Sequence, residues 1–292
     1  MNEKNILEVI NLKKYYGKVR GIEDVSITLR PGETYGFIGP NGAGKSTTIR
    51  TIMNLINKTS GKIIIDGKEL NKDDLELKKV IGYLPSEIYL YEDLTVKEML
   101  DFHEKFYDRN LNERRKRLVD LFKIDETKKV EDLSLGNTKK LGIILALMHE
   151  PKLLILDEPT SGLDPIMQNT FYELLLEEKE KGTTILYSTH VLSEVSKICD
   201  RIGIIKDGKI IKEDTVKNIE KDNVTYLTIE SPNINEIKEI LNFKIISEHN
   251  DTVKFINTLT PNELMSRLSK YEINKILIEE ASIEDLFIEY YK

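Results

Sequence analysis

A glycine-rich segment at residues 39–46 narrows the possible folds of this chain more than any other part of it. The segment reads Gly-Pro-Asn-Gly-Ala-Gly-Lys-Ser, and it matches the phosphate-loop pattern G-x-x-x-x-G-K-[ST]. Residues 34–39 before it predict a strand, and residues 45–55 after it predict a helix. In that setting, backbone N–H groups close around phosphate oxygens and the helix N-terminus adds partial positive charge. The alternative is an ordinary glycine-rich turn, which the flanking strand and helix disfavour.

The same segment supplies most of the candidate nucleotide-binding residues. We expect Lys45 to reach the β- and γ-phosphates of a nucleotide, and we expect the hydroxyl of Ser46 to hold Mg²⁺. The remaining residues are expected to bind phosphate through the backbone of the loop. The predicted cofactor-binding residues of this segment are Gly39, Pro40, Asn41, Gly42, Ala43, Gly44, Lys45, Ser46 and Thr47.

The surrounding sequence predicts strands that alternate with helices. Residues 152–157 form a continuous apolar run, typical of a parallel strand covered on both faces, and residues 184–189 predict another such strand. This alternation indicates an α/β core with a parallel sheet. A hairpin signal at Asp66-Gly67 and short strands nearer the N-terminus predict an added antiparallel β layer.

Two helical stretches lie between the strands of the predicted core. The first covers residues 95 to about 124 and opens with a capping box, in which Thr95 and Glu98 satisfy each other's free backbone donors. The second is predicted for residues 138–149 and stops before Pro151. We therefore expect a helical subdomain at about residues 86–150.

The length of the chain predicts two domains. With 292 residues and roughly 150 residues per domain, a second domain is expected, and the composition shifts near residue 221. We predict a nucleotide-binding domain at residues 1–220 and a small accessory α+β domain at residues 221–292. The second domain should run strand, helix, hairpin, helix, strand and helix.

Composition argues against several classes of protein. The chain has 43 Lys and Arg against 50 Asp and Glu, a net charge of −7, so we expect no nucleic-acid partner. Its one cysteine, Cys199, can form no internal disulfide, and the N-terminus resembles no signal peptide, which fits a reducing cytosol. No apolar stretch approaches the roughly 20 residues of a membrane span, so we expect no transmembrane helix.

Two carboxylates follow the buried strand predicted at residues 152–157. Asp157, at the end of that strand, can bind Mg²⁺ beside the phosphate loop, and Glu158 can polarise an attacking water. On these residues alone, two solvated carboxylates at a strand end are an equally good interpretation. The predicted metal ligands are Ser46 and Asp157.

Three further segments resemble the ATP-binding-cassette (ABC) family. They are Leu-Ser-Leu-Gly-Asn at residues 133–137, Pro-Thr-Ser-Gly-Leu-Asp at residues 159–164, and His190 at the end of a predicted strand. With the phosphate loop, they occur in the family's order over about residues 5–215. The resemblance implies a P-loop ABC ATPase fold and an enzyme that hydrolyses ATP with Mg²⁺.

The resemblance also gives a role to each matching position. Tyr16 matches the aromatic residue that stacks on adenine. Ser134 and Gly136 match the signature that contacts the ATP of a second subunit, while residues 161–164 match a loop at the dimer interface. His190 matches the switch histidine at the γ-phosphate, although a lone histidine is more often structural. The predicted catalytic residues are Lys45, Glu158 and His190.

Two segments depart from the family pattern. Ser86 and Glu87 stand where the family usually has a glutamine that helps to hold Mg²⁺ and water. In the signature, Leu135 replaces the first glycine and Asn137 replaces a glutamine. We expect ATP hydrolysis to be retained, at a low rate until a membrane partner is present.

The resemblance implies partners that this chain does not contain. It implies the ATPase subunit of a bacterial ABC transporter, held at the cytoplasmic face of the membrane by a separate permease. Two ATP-binding subunits would close around two ATP; a homodimer is favoured and a heterodimer is the alternative. The phosphate loop, residues 83–98 and residues 282–287 resemble exporters of antibiotics, peptides and other amphiphiles. The competing hypothesis is a soluble or regulatory ABC ATPase that acts as a self-resistance or interaction module.

Two surface segments complete the predictions. Tyr89, Tyr91 and Leu94 form an apolar, aromatic stretch, for which docking on a membrane subunit and packing inside the helical subdomain are equally supported. The basic run Arg114–Arg117 predicts a solvated helix face.

Overall fold

The structure of the chain is a computed structural model that describes residues 4–71, 74–221 and 225–280. It separates into two compact units, and the division falls between Val216 and Lys217.

The first unit is built on a sheet of ten strands in the described part of the chain. The strands are β1 (Leu7–Tyr16), β2 (Val19–Leu29), β3 (Thr34–Ile38), β4 (Ser60–Ile65), β5 (Lys68–Glu69), β6 (Ile81–Leu84), β7 (Leu153–Asp157), β8 (Thr184–Thr189), β9 (Arg201–Lys206) and β10 (Lys209–Thr215). Their order is β5-β4-β1-β2-β10-β9-β3-β8-β7-β6. Strands β9, β3, β8, β7 and β6 are parallel, while β1, β2, β4 and β5 pair antiparallel. The predicted parallel core with an antiparallel layer is confirmed.

Seven α-helices connect these strands in the residues that the structure describes. They are α1 (Lys45–Ile52), α2 (Leu75–Lys79), α3 (Val96–Glu104), α4 (Asn112–Phe122), α5 (Leu135–Leu147), α6 (Pro165–Glu180) and α7 (Leu192–Ile198). The capping box predicted at Thr95 and Glu98 is present at the start of α3. The single helical stretch predicted after it is wrong, because the chain turns before Asn112, whose N–H donates to the side chain of Asn110 over 2.9 Å.

Burial in the sheet explains why its central strands are so apolar. Every residue of β3, β7 and β8 is buried, as expected for parallel strands with helices on both faces. The carboxyl ends of parallel strands meet at one edge of a sheet. The loops that follow these three strands are therefore neighbours, and they carry the predicted site.

The basic run in α4 is solvated at Lys116 and Arg117, but the predicted solvated face is wrong for Arg114 and Arg115. Arg114 is buried and donates to Glu178 of α6 over 2.6 Å. The side chain of Arg115 is also largely covered and donates to Glu126 over 2.6 Å. Arg114 thereby ties α4 to α6, and Arg115, which also donates to Asp101, ties α4 to α3, since a buried guanidinium requires carboxylate partners.

The second unit is a small α+β domain, as predicted. Its elements follow α8 (Val216–Lys221) in the order β11 (Thr225–Glu230), α9 (Ile234–Leu241), β12 (Ile245–His249), β13 (Thr252–Asn257), α10 (Pro261–Leu268) and β14 (Lys275–Glu280). The antiparallel sheet has the order β12-β13-β11-β14, and both longer helices contribute to its apolar core. The final predicted helix and residues 282–287 lie outside the described residues.

Candidate nucleotide-binding site

The glycine-rich segment forms a tight loop between β3 and α1. Gly44 has φ of +110° at the N-terminus of α1, and a Cβ there would lie 2.9 Å from the carbonyl oxygen of Gly21. A Cβ on Gly39 would lie 2.5 Å from the carbonyl oxygen of Ile205. Only glycine fits such approaches, so the loop packs directly on the neighbouring backbone and keeps its N–H groups at the helix N-terminus.

The loop forms one wall of a cleft of about 380 Å³. The cleft is lined by Tyr16, Val19, Arg20, Gly21, Pro40, Asn41, Gly42, Gly44, Lys45, Ser46, Thr47 and Glu158. Tyr16 is half exposed, and the ammonium of Lys14 lies 4.7 Å from its ring centroid. The structure thus brings Tyr16, most of the loop and Glu158 together, while the predicted binding residues Gly39 and Ala43 are buried behind the cleft wall.

Lys45 places a cationic group in this cleft. Its side chain is 5% exposed, and the ammonium donates to the carbonyl oxygen of Gly39 over 2.6 Å. The same nitrogen lies 3.4 Å from Oε1 of Glu158. The nitrogen also lies 3.4 Å from the carbonyl oxygen of Pro40. An ammonium held by two carbonyls and one carboxylate is positioned to attract anionic groups that enter the cleft.

Asp157, at the end of β7, is fully buried. Its Oδ1 accepts a hydrogen bond from the hydroxyl of Ser188 over 3.1 Å, while its Oδ2 has no hydrogen-bond partner among the described residues. Burial raises the pKa of Asp157, and the hydroxyls of Ser46 and Ser188 partly oppose this rise. A buried carboxylate oxygen without a partner fits a divalent cation as its missing partner.

Glu158 faces both Lys45 and His190. Its Oε2 lies 2.8 Å from Nδ1 of His190, while Oε1 faces the lysine. The backbone of Glu158 has φ of +49°, the left-handed region that few non-glycine residues adopt, and its N–H donates to the carbonyl oxygen of Ser188 over 3.0 Å. Backbone strain of this kind is concentrated at functional sites.

The signature segment lies apart from this cleft in the same chain. Ser134 caps α5, and its hydroxyl accepts a hydrogen bond from the N–H of Asn137 over 3.4 Å. The helix therefore begins at Leu135, three residues before the predicted start at residue 138. A Cβ on Gly136 would lie 3.1 Å from the carbonyl oxygen of Gly162, and the side chain of Leu135 is 76% exposed. Neither Ser134 nor Gly136 lines the cleft formed by the phosphate loop.

Ser86 stands where the family usually has a glutamine, and it contacts Lys139, a buried residue that the sequence did not indicate as part of the site. The ammonium of Lys139, in α5, lies 3.5 Å from the carbonyl oxygen of Ser86. Lys139 is 3% exposed, and burial lowers its pKa. Glu87 points to the surface instead, where it accepts from the hydroxyl of Tyr89 over 3.0 Å. A charged residue within an apolar helix was the available signal for Lys139.

Comparisons with known proteins agree with this geometry. Residues 22–161 match the model of the ABC transporter family. The linearmycin resistance ATP-binding protein LnrL of Bacillus subtilis is 35% identical, with 97% of each chain covered. The bacitracin transport ATP-binding protein BcrA of Bacillus licheniformis is 34% identical over 97% of this chain and 96% of its own. The lantibiotic transport ATP-binding protein SrtF of Streptococcus pyogenes is 42% identical over 74% of this chain and 95% of its own.

Solved structures show the same fold. An ATP-binding subunit of an ABC transporter has a TM-score of 0.69 and 33% identity, with 74% of this chain and 92% of that chain covered. The dimeric ATP-binding cassette MJ0796, solved in a post-hydrolysis state with ADP and Pi, has a TM-score of 0.65 and 25% identity, with 72% and 98% covered.

The fold and the site define a P-loop ATPase. The chain belongs to the ABC transporter family and is one of its ATP-binding, ATP-hydrolysing subunits. The predicted fold and enzymatic activity are therefore confirmed. Among residues 4–71, 74–221 and 225–280, no helix is both long enough and apolar enough to cross a bilayer.

Proposed function

We propose that this chain drives a separate membrane permease that exports an antibiotic, a peptide or another amphiphile. The observation that carries its ATPase role is the position of Glu158, a residue of the cleft lining that faces Lys45 on one side and His190 on the other. The relatives named for bacitracin transport, lantibiotic transport and linearmycin resistance support the class of cargo. They favour a transporter subunit over a soluble or regulatory ATPase.

ATP would lie along the cleft with its phosphates on the glycine-rich loop. The N–H groups at the start of α1 and the ammonium of Lys45 bind the phosphate oxygens. The phosphates compete with Glu158 for that ammonium, which leaves the carboxylate free to accept a proton. Tyr16, half exposed at the other end of the cleft, offers its ring to adenine.

Ser46 and Asp157 are the residues that would hold Mg²⁺. The donor set fits, because Oδ2 of Asp157 is buried without a hydrogen-bond partner in the described chain and the Ser46 hydroxyl interacts with the same carboxylate. When bound, Mg²⁺ neutralises charge on the phosphates.

Glu158 and His190 would act on the γ-phosphate. Glu158 accepts a proton from the attacking water as the water oxygen bonds to phosphorus and the bond to ADP breaks. His190 orients that carboxylate through Nδ1, and its ring contacts the γ-phosphate. The products are ADP and inorganic phosphate.

A second subunit would complete the site. Because Ser134 and Gly136 do not line the cleft of their own chain, they are free to contact ATP held by a partner. The N-terminus of α5 then points partial positive charge at that ATP. One set of these residues in each chain favours a homodimer, with a heterodimer as the alternative.

The permease contact would lie at the exposed aromatic residues beside the site. Tyr89 is 85% exposed and Tyr91 is 60% exposed, which is unusual for large aromatic side chains. The ring of Tyr91 makes an edge contact with Phe102 of α3, with centroids 5.5 Å apart. Binding there would hold the chain at the cytoplasmic face of the membrane.

The dimer and the role of Glu158 are tested together by the Glu158→Gln variant. At saturating ATP with Mg²⁺, the variant should bind ATP without hydrolysing it and should elute as a dimer of twice the 33.7 kDa chain mass. Light scattering coupled to gel filtration measures this. A Glu158→Gln/Lys45→Ala double variant should remain monomeric, because it loses the phosphate contact. A monomeric Glu158→Gln protein at saturating ATP would contradict the homodimer or the role of Glu158.

A further inference from the structure

Glu194 is a buried carboxylate that contacts four hydroxyl groups. Its Oε1 accepts from Thr160 over 2.5 Å and from Tyr172 over 3.1 Å. Its Oε2 accepts from Tyr187 over 3.0 Å and from Thr189 over 2.7 Å. Glu194 lies in α7 and is 5% exposed.

Burying this carboxylate costs desolvation free energy, which indicates a role beyond packing. Burying a carboxylate is unfavourable unless it is fully hydrogen-bonded, and Glu194 forms no ion pair within the described ranges. An apolar side chain would fill the same volume without that desolvation cost. The four hydroxyls come from three segments, namely the loop after β7, helix α6 and strand β8, so the carboxylate joins side chains of all three.

Two of those segments carry the candidate catalytic residues. Thr160 is two positions after Glu158, in the loop that follows β7. Thr189 immediately precedes His190, and its hydroxyl also accepts from the N–H of Val191 over 2.9 Å. One carboxylate therefore anchors both loops within two residues of the groups that face each other across the site.

We propose that Glu194 is a positioning residue for ATP hydrolysis, which keeps Glu158 and His190 in contact by anchoring their two loops. This inference rests on the roles proposed above for those two residues. Thr160 and Thr189 carry the connection, whereas Tyr172 and Tyr187 complete the hydrogen bonding of the carboxylate. Losing the connection lets the loops separate, which misplaces the catalytic groups without removing them.

Thr160→Val and Tyr172→Phe form a matched pair for testing this role. Each removes one hydroxyl from the same oxygen of Glu194, but only Thr160 belongs to a catalytic loop. Because small displacements of catalytic groups are costly, we expect Thr160→Val to lower kcat about tenfold with KM for ATP unchanged. Tyr172→Phe should stay within about twofold of the unsubstituted chain. Steady-state ATP hydrolysis by the full-length chain measures both constants.

Glu194→Gln tests the carboxylate itself, with Glu178→Gln as its control. Glu178 is a second buried carboxylate, but its partners are Arg114 and Lys181 and it contacts neither loop. We expect Glu194→Gln to lower kcat at unchanged KM, and Glu178→Gln to lower only the unfolding temperature. If Glu194→Gln fails to fold, the Thr160 and Tyr172 variants decide the question.

Equal kcat values for Thr160→Val and Tyr172→Phe would overturn the inference, whether both fall or neither does. The proposed function fails in a different way, through undiminished ATP turnover by the Glu158→Gln variant. The two failures are therefore separable in one set of assays.

Discussion

The Nδ1 atom of His190 lies 2.8 Å from Oε2 of Glu158, although the two residues are 32 positions apart in the sequence. Strands β7 and β8 are neighbours in the sheet, and Asp157 pairs with Ser188. The residues that follow the two strands therefore meet at the same edge. With Nδ1 donating to the carboxylate, the contact fixes the tautomer of the imidazole and the rotamer of Glu158.

Replacing His190 by alanine should lower kcat for ATP hydrolysis about 100-fold with little change in ATP affinity, because His190 acts on the reacting phosphate after binding. Initial rates and the binding of a fluorescent ATP analogue measure the two effects. If Glu158 and His190 act as one unit, the His190→Ala/Glu158→Gln double variant should be no slower than the slower single variant. Rate losses that multiply would show that the two residues act independently.

Replacing Asp157 by asparagine should weaken the response to Mg²⁺. The substitution removes the negative charge from a buried oxygen that lacks a protein partner, so we expect the Mg²⁺ concentration for half-maximal activity to rise about tenfold. Ser46→Ala should change it in the same direction. Titration of ATPase activity with Mg²⁺ at fixed ATP measures the shift, and an unchanged midpoint in both variants would contradict the assignment.

The sequence was sufficient for the architecture because local signals and the fold agree at most positions. The glycine-rich loop, the capping box at Thr95 and the apolar runs of β7 and β8 each predict structure from neighbouring residues alone. Side-chain contacts between segments that are distant in the sequence could not be predicted in this way. The local pattern of the basic run in α4 predicts a solvated face. Arg114 contacts Glu178 only because α4 and α6 pack together, which the local pattern does not show.

Each residue of the candidate site could be proposed from the sequence, but the contacts between these residues could not. Resemblance identified Glu158 and His190, whereas their contact depends on which strands are neighbours, and nothing local specifies that. Glu194 was missed for a related reason. The available signal was its position on the buried face of α7, four residues before Ile198. A carboxylate at such a position indicates a hydrogen-bond network, but the sequence does not identify the donors.

The buried histidine His149 should make the fold sensitive to acid. Its Nε2 lies 3.1 Å from the carbonyl oxygen of Ile81, and its ring stacks on Tyr107 with centroids 4.5 Å apart. Burial lowers the pKa of His149 to about 4, against about 6.5 in an unfolded chain. Below pH 6.5 the unfolded state takes up the proton first, so His149 alone should lower the free energy of unfolding by about 2 kcal/mol between pH 7 and pH 5.

Urea unfolding at the two pH values tests this effect of His149. A His149→Gln variant keeps an N–H donor for Ile81 but cannot take up a proton, so it should lose about 2 kcal/mol less than the unsubstituted chain over that interval. Between pH 7 and pH 8 the difference between the two proteins should change little, because the imidazole is largely neutral in both states. Equal losses between pH 7 and pH 5 would show that His149 does not titrate on unfolding.

The exposed tyrosines beside the site should be required for binding the permease. When tagged protein is purified from detergent-solubilised membranes of its own host, we expect a polytopic membrane protein to accompany it in roughly equal amount. A Tyr89→Ala/Tyr91→Ala variant should lose that partner but keep its ATP affinity, since neither ring lines the cleft. The control is Met265→Ala, which removes another exposed apolar side chain, 66% exposed, from the second unit. Loss of the partner from both variants, or from neither, would place the permease contact elsewhere on the chain. If the unsubstituted protein is purified with ribosomes, or with no partner at all, the result would favour a soluble ATPase.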